Sequence, residues 1–348
     1  MTDSIAASEL EPSLAGVQNH RLVLAGRPVG LVRQENFTSD AVPLPDLAEG
    51  EALMRAEYLG IDATVRTWLN SAEGYLPPVE IGEAVRCSGI GTVVASRCEK
   101  FPVGQIAYGL PGWQEYGIVR DDGMSSAIQA GADLPAMLSV LGSTGLTAYL
   151  GLTDVAEINE SDTVVVSAAA GATGSVAVQI AKNVFGCRVI GICGSDEKCR
   201  WLVDDLGIDG AVNHRTDDVP ARLRELCPKR IDVYFDNVGG PLLDIVLGQI
   251  ARGARIALCG AIAVYNDVHK PPGPANYLNL ISRRAKMQGF ISLDWWDRFP
   301  AATEQLAAWV AEGKIRYRID WHEGLKSAPD ALNAMFTGAN IGKIVIRL

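Results

Sequence analysis

Thr163-Val164-Val165-Val166-Ser167-Ala168-Ala169-Ala170-Gly171-Ala172-Thr173-Gly174-Ser175 is the stretch whose reading decides the fold. Its unbroken β-branched opening fits a strand buried on both faces, as strands of parallel sheets are. Beyond it Val176, Ile180 and Val184 recur at i, i+4 and i+8, which is helical spacing. A strand, a small-residue turn and a helix in that order form a dinucleotide-binding fingerprint with three glycine positions. Ala169 takes the first position, Gly171 the second and Gly174 the third, with Ala170 and Thr173 in the same loop. Gly171 would let the backbone approach a pyrophosphate, Gly174 would let helix and strand pack closely, and the helix N-terminus would offer free N–H groups to the anion. A Gly/Ala-rich turn with no ligand is the alternative. The uncharged run Thr163–Ala181 does not read as a membrane span. It holds Ser167, Gly171, Thr173, Gly174, Ser175 and Gln179, and a span needs about 20 predominantly apolar residues.

Downstream, the alternation continues. Strand Arg188–Cys193, helix Asp196–Leu206, strand Ala211–Asn213, helix Val219–Leu226, strand Ile231–Asp236, helix Pro241–Ile250 and strand Arg255–Cys259 are expected. This rhythm predicts an α/β fold with a doubly wound parallel sheet and helices on both faces. Pro271-Pro272-Gly273-Pro274 reads as a loop, Phe299–Glu312 as a helix and Lys343–Leu348 as a strand. Upstream, residues 20–120 show short apolar runs such as Arg21–Leu24, Ala52–Tyr58, Gly91–Ser96 and Tyr116–Val119. Turn signals at Leu76-Pro77-Pro78 and Leu110-Pro111-Gly112 separate them, which predicts an irregular all-β unit.

Composition narrows the classes. The chain has 348 residues with a net charge of −10, which disfavours nucleic acid as a partner. The first 19 residues are acidic, lack the basic and apolar regions of a signal peptide, and read as a disordered tail. Seven scattered cysteines read as reduced thiols of a cytoplasmic protein and as small buried hydrophobes. Glycine is 36 of 348, above the ordinary share of about 7%. Much of that excess sits in the cofactor loop, at Gly194 and at Gly239-Gly240.

The pattern favours NADP over NAD. An NAD site wants an acid at the tip of the second strand, but that tip reads Ile192-Cys193-Gly194-Ser195. Ser195 can cap the next helix. Lys198 lies in that helix's first turn, where the dipole disfavours a cation unless a 2′-phosphate is bound. His214 and Arg215 follow the third strand and would add charge, whereas Asp196 and Glu197 stand beside Lys198 and oppose it. A solvated lysine is the alternative. Cys87 and Cys98 have no histidine between them, so no zinc site is expected. No Gly-x-Ser-x-Gly elbow of a serine hydrolase appears. Tyr265 follows Cys259-Gly260-Ala261 at the C-terminal end of a strand, where open α/β sheets bind ligands. Its hydroxyl would polarise a substrate carbonyl, the alternative being an edge tyrosine packed on a loop. Trp295 and Trp296 fit either a pocket wall or packing.

Taken together, residues 20–348 resemble the zinc-independent medium-chain dehydrogenases/reductases, and within them the leukotriene B4 12-hydroxydehydrogenase / prostaglandin reductase / double-bond reductase group. The resemblance rests on Leu24–Gly30, Gly112–Tyr116, Gly145–Tyr149, Ala168–Ser175, Gly194–Lys198, Tyr234–Gly240, Cys259–Ile262, Tyr265-Asn266, Pro271–Pro274 and Asn340–Lys343. It implies a GroES-like β domain from residues 20–140 with 314–348, and an NADP-binding Rossmann domain from 141–313. It further implies a homodimer and NADPH reduction of the C=C bond of α,β-unsaturated ketones or aldehydes. By it, Lys198 is a 2′-phosphate contact, Thr147, Asn237 and Asn340 are cofactor contacts, and Tyr265 lies near the substrate carbonyl. Two positions depart. Thr64 stands where the family has a pocket tyrosine, and His214 stands where it often has a tyrosine near the 2′-phosphate. The other readings are an NADPH:quinone reductase, an alcohol dehydrogenase, and a non-catalytic NADPH-binding sensor or scaffold.

Overall fold

The computed structural model describes residues 14–72, 74–269 and 271–348. Most of the expected tail, residues 1–13, lies outside them, and the first strand already begins at Gln18. The chain forms two compact units. One runs to Leu138 and adds Trp321–Met335 and Ile344–Leu348. The other comprises Ser139–Asp320 and Phe336–Lys343.

The first unit carries strands β1 (Gln18–Leu24), β2 (Phe37–Pro43), β3 (Glu51–Ile61), β4 (Ser88–Ser96), β5 (Ile106–Gly109), β6 (Tyr116–Arg120) and β7 (Ser126–Ile128), with short helices α1 (Val65–Trp68) and α2 (Leu134–Leu138). β1 and β2 form an antiparallel pair, and β3 pairs antiparallel with both β4 and β6. Ala52, Met54, Val93, Phe101 and Val119 fill the core beneath β3 and β4. Alternation along these strands puts one face inward, and each fully buried aliphatic contributes about 1.5–3 kcal/mol.

The second unit carries α3 (Ser143–Leu150), β8 (Thr163–Ser167), α4 (Ala172–Gln179), β9 (Arg188–Cys193), α5 (Asp196–Arg200), β10 (Gly210–Asn213), α6 (Val219–Leu226), β11 (Ile231–Asp236), α7 (Gly240–Leu247), β12 (Ile250–Leu258), α8 (Asn279–Arg283), β13 (Lys286–Gly289) and α9 (Phe299–Ala311). The chain closes with β14 (Ile319–Glu323), α10 (Ala328–Thr337) and β15 (Lys343–Arg347), and β15 pairs antiparallel with β3. The strand order of the second unit is β10-β9-β8-β11-β12-β13. Each neighbouring pair in that order is parallel. This is the doubly wound dinucleotide-binding order, with its reversal between β8 and β11. Val165, Ile190, Val212, Tyr234 and Ile256 pack on one side of the sheet against Leu223, Val246 and Leu247 of α6 and α7.

Three differences from the sequence reading have physical causes. Ile250 opens β12 and does not end α7, because the helix stops at Gly248 and Ile250 pairs, fully buried, with Ile231. β13 was not anticipated, since Lys-Met-Gln-Gly at a half-exposed sheet edge has no apolar run. Residues 314–320 and 336–343 join the second unit, where Gly342 N donates to Ala170 O at 2.8 Å and Arg316 N donates to Gln179 Oε1 at 2.8 Å. Among the described residues no helix is long and apolar enough to cross a membrane.

Candidate active site

The candidate residues of the second unit gather at the C-terminal ends of its strands. The turn out of β8 is made at Ala168, whose φ of 46° lies in the left-handed region. Ala169, expected to hold the first glycine position, is instead fully buried in ordinary geometry. The tight turn therefore comes one residue earlier, at a backbone cost of about 1–2 kcal/mol for a residue with a Cβ. Gly174 behaves as expected: a Cβ there would stand 2.3 Å from Ala168 O, so only glycine lets α4 lie this close to the turn.

Gly171 caps α4 with extended backbone, and no side chain closes that helix end. The first intrahelical bond, Ser175 N to Gly171 O at 2.9 Å, leaves the N–H groups of Ala172, Thr173 and Gly174 without intrahelical acceptors. An uncapped N-terminus of this kind fits an anion. The segment through Asn340 closes one side of it. Gly342 bridges to Gly171 in parallel fashion, and the buried Asn340 donates its Nδ2 to Gly342 O at 3.1 Å. Thr147 stands on α3 with its hydroxyl donating to Ser143 O at 2.7 Å, which leaves its lone pairs free.

At the tip of β9, Ser195 caps α5 by accepting from Lys198 N at 3.3 Å. Lys198 is not a solvated lysine, being only 7% exposed. Its Nζ donates to Gly338 O at 2.9 Å. Asp196, two residues before Lys198, accepts from Asn213 Nδ2 at 2.7 Å. Burial pushes the Lys198 ammonium below the usual lysine value and the Arg215 charge pushes the same way, against Cys193, Asp320 and Glu197. Arg215 donates to Thr337 O, the residue before Gly338. A Cβ at Gly194 would lie 3.0 Å from His214 Nε2 and 3.4 Å from Arg215 Nε, so these side chains crowd the same tip. His214 is held below its ordinary range by partial desolvation and by Arg215 and Lys198. At neutral pH it is therefore a hydrogen-bonding group, and the positive charge comes from Lys198 and Arg215. The donor set of two cations and one imidazole fits a monoester phosphate, whose charge outweighs the acids Asp320 and Glu197 that also act on Lys198.

A network not anticipated from sequence lies where the strand order reverses. Asp236 is fully buried, and its Oδ1 accepts from Ser167 Oγ at 2.9 Å, Tyr234 OH at 2.9 Å, Val238 N at 2.9 Å and Gly239 N at 3.0 Å. Burial pushes this carboxyl up, and its donors pull it back. Asn237 donates its Nδ2 to Ser167 O at 2.7 Å and so ties the ends of β8 and β11 together. The available signal was an acid ending the run Val233-Tyr234-Phe235 just before Gly239-Gly240, the latter pair both at positive φ.

Tyr265 lies beyond β12, half-buried. Its hydroxyl oxygen accepts from Ala261 N at 3.1 Å and sits 3.2 Å from where a Gly260 Cβ would be. The acceptor side is thus engaged while, among the described residues, the O–H proton has no acceptor, and burial raises the phenol above its ordinary value. Tyr265 is a neutral donor across the physiological range. Trp295 packs edge-on against Phe290 at 6.3 Å, whereas Trp296 is exposed. Thr64 belongs to the first unit, at the start of α1, where its hydroxyl meets Tyr75 OH at 2.8 Å. A tyrosine hydroxyl is therefore held at Thr64 from another place in the chain.

Comparison with known proteins extends this picture. Residues 20–127 match the family described as the N-terminal domain of oxidoreductase, and residues 172–308 match the family described as zinc-binding dehydrogenase. Among the described residues no three His, Cys, Asp or Glu side chains come together to hold a metal ion, so the residues do not fit zinc. The chain is 37% identical over 336 residues to the NADPH-dependent curcumin reductase of Escherichia coli, covering 95% of this chain and 97% of that protein. It is 34% identical over 337 residues to the 2-alkenal reductase (NADP(+)-dependent) of Nicotiana tabacum, covering 95% and 97%. The crystal structure of CurA in complex with NADPH from Vibrio vulnificus superposes with a TM-score of 0.89 at 40% identity, covering 94% of this chain and 98% of that one. With relatives of this identity along nearly its whole length, the chain belongs to the medium-chain dehydrogenase/reductase family of oxidoreductases, in its zinc-independent double-bond reductase group.

Proposed function

We propose that the chain is an NADPH-dependent reductase of the C=C bond of α,β-unsaturated ketones or aldehydes. The observation that carries this reading is the Tyr265 hydroxyl, engaged as an acceptor by Ala261 N–H and, among the described residues, with its proton free and no metal donor set beside it. The names of the E. coli and N. tabacum relatives support it. When bound, NADPH supplies a hydride to the β-carbon of the substrate. Tyr265 donates its proton in a hydrogen bond to the carbonyl oxygen as that oxygen gains enolate charge. Holding Tyr265 Oη from behind, Ala261 N–H orients the donor before charge develops. Asn237, bonded to Ser167 O, ties together the ends of β8 and β11, where it would help hold the cofactor.

Residues Gly171, Ala172 and Thr173 receive the pyrophosphate at the uncapped start of α4. Lys198, Arg215 and His214 receive the 2′-phosphate, with Ser195 holding the first turn of α5. Thr147 and Asn340 complete the cofactor contacts. The protein acts as a cytoplasmic homodimer. Its seven free cysteines support a reducing compartment. The edge strand β13, beside exposed Tyr277, Leu278 and Ile281, supports pairing with a second copy. A panel of enones, enals, quinones and alcohols with NADPH tests the activity. Saturated ketone from an enone is the expected product. Turnover of quinones alone would replace this reading, and tight NADPH binding without any turnover would favour a sensor.

A further inference from the structure

Cys193 ends β9 and Cys199 stands on α5, and their Sγ atoms are 3.3 Å apart. Cys193 is buried and also reaches Ser195 O at 3.7 Å, while Cys199 is partly exposed. The turn they span contains Ser195, which caps α5, and Lys198, the residue next to Cys199. Both thiols therefore grip the element that presents the phosphate-binding amine.

We propose that Cys193 and Cys199 form a reversible disulfide under hydroperoxide, and that this disulfide weakens binding of NADPH through its 2′-phosphate. The second half rests on the reading of Lys198 given above. In the first step the Cys199 thiolate attacks the outer oxygen of the hydroperoxide. The O–O bond breaks, Cys199 becomes a sulfenic acid, and the departing alkoxide or hydroxide takes up the proton that left the thiol. In the second step the Cys193 thiolate attacks the Cys199 sulfur. The S–S bond forms, and the displaced hydroxide leaves as water with the Cys193 proton. Two thiols lose two electrons and the peroxide gains them. A dithiol reductant reverses the change by exchange.

Exposure assigns the roles, since the peroxide can reach Cys199 and the buried Cys193 resolves. A disulfide requires an S–S separation of about 2.05 Å, against 3.3 Å between the thiols. Closing that gap draws the tip of β9 and the first turn of α5 together. Lys198 moves with Cys199, away from its place 2.9 Å from Gly338 O. Burial pushes the Cys193 thiol up to about 12 and raises Cys199 as well, so little thiolate is present and the oxidation is slow.

The test uses the full chain treated with hydrogen peroxide, which is then removed. Trypsin cuts after Lys198 and so separates the two cysteines, and a disulfide then appears as two linked peptides. NADPH and NADH affinities are read by cofactor fluorescence before and after dithiothreitol. The expected result is a linked peptide pair, an NADPH Kd raised about fivefold with NADH little changed, and full recovery on reduction. Cys199→Ser and, independently, Cys193→Ala should abolish both the link and the shift. Separate sulfinic acids with no linked pair would overturn the proposal, as would a complete disulfide that leaves NADPH affinity unchanged. Lys198→Ala in the reduced protein reports separately on the 2′-phosphate reading, because that variant needs no oxidation to show its effect.

Discussion

Lys198→Ala should weaken the site's preference for NADPH over NADH. Lys198 is buried and donates to Gly338 O at 2.9 Å. A hydrogen bond to a charged group is worth about 1.5–3 kcal/mol. At 1.4 kcal/mol per decade this corresponds to a loss of about 10- to 150-fold in NADPH affinity. Arg215 and His214 remain at the same tip, so the loss belongs near the lower end, about tenfold. NADH has no 2′-phosphate and should bind within about twofold of the parent. The assay is titration of both cofactors by fluorescence, with 2′,5′-ADP and 5′-AMP as competitors. 2′,5′-ADP should weaken in step with NADPH, and 5′-AMP should not. The pH dependence has a definite sign. Burial holds the ammonium below the ordinary lysine value of 10.5, so NADPH preference is full below the lowered value and lost as pH rises through it. The variant should show no such loss. Equal weakening of both cofactors, or of neither, would refute the argument.

Tyr265→Phe should lower kcat on the best enone by at least about tenfold, since loss of one oxyanion donor costs about 2.7–4 kcal/mol. Cofactor affinity should be unchanged, and an unaltered kcat would remove Tyr265 from the mechanism. Gly174→Ala places a Cβ 2.3 Å from Ala168 O. It should cost about 1–3 kcal/mol in thermal or denaturant unfolding and weaken NADPH, and wild-type stability would contradict the close packing. Ile281→Asp, at a residue of α8 that is 75% exposed, should shift a dimer toward monomer in light scattering. An unchanged mass would place any dimer contact elsewhere.

The core of the second unit was legible because parallel strands buried on both faces must be nearly continuous in apolar residues. Val164–Val166, Ile231–Asp236 and the small-residue turn announce themselves for that reason. β13 lacks that constraint at the sheet edge and left no pattern to find. Ser195 and Lys198 were readable because helix capping and first-turn charge are local. Ala168 was missed because a left-handed alanine violates the rule that assigns such turns to glycine. The Asp236 network, the Thr64–Tyr75 contact and the approach of Gly342 to Ala170 each join residues distant in sequence or hidden behind a bland residue type. Cys193 and Cys199 read as buried apolar fillers until the β9–α5 turn set their sulfurs side by side.

The central claim is the position that receives the hydride. NADPH carrying deuterium at the nicotinamide C4, on whichever face this protein uses, should be consumed with an α,β-unsaturated ketone and the product read by NMR. The account predicts deuterium on the β-carbon of a saturated ketone. Deuterium on the carbonyl carbon of an allylic alcohol would contradict it.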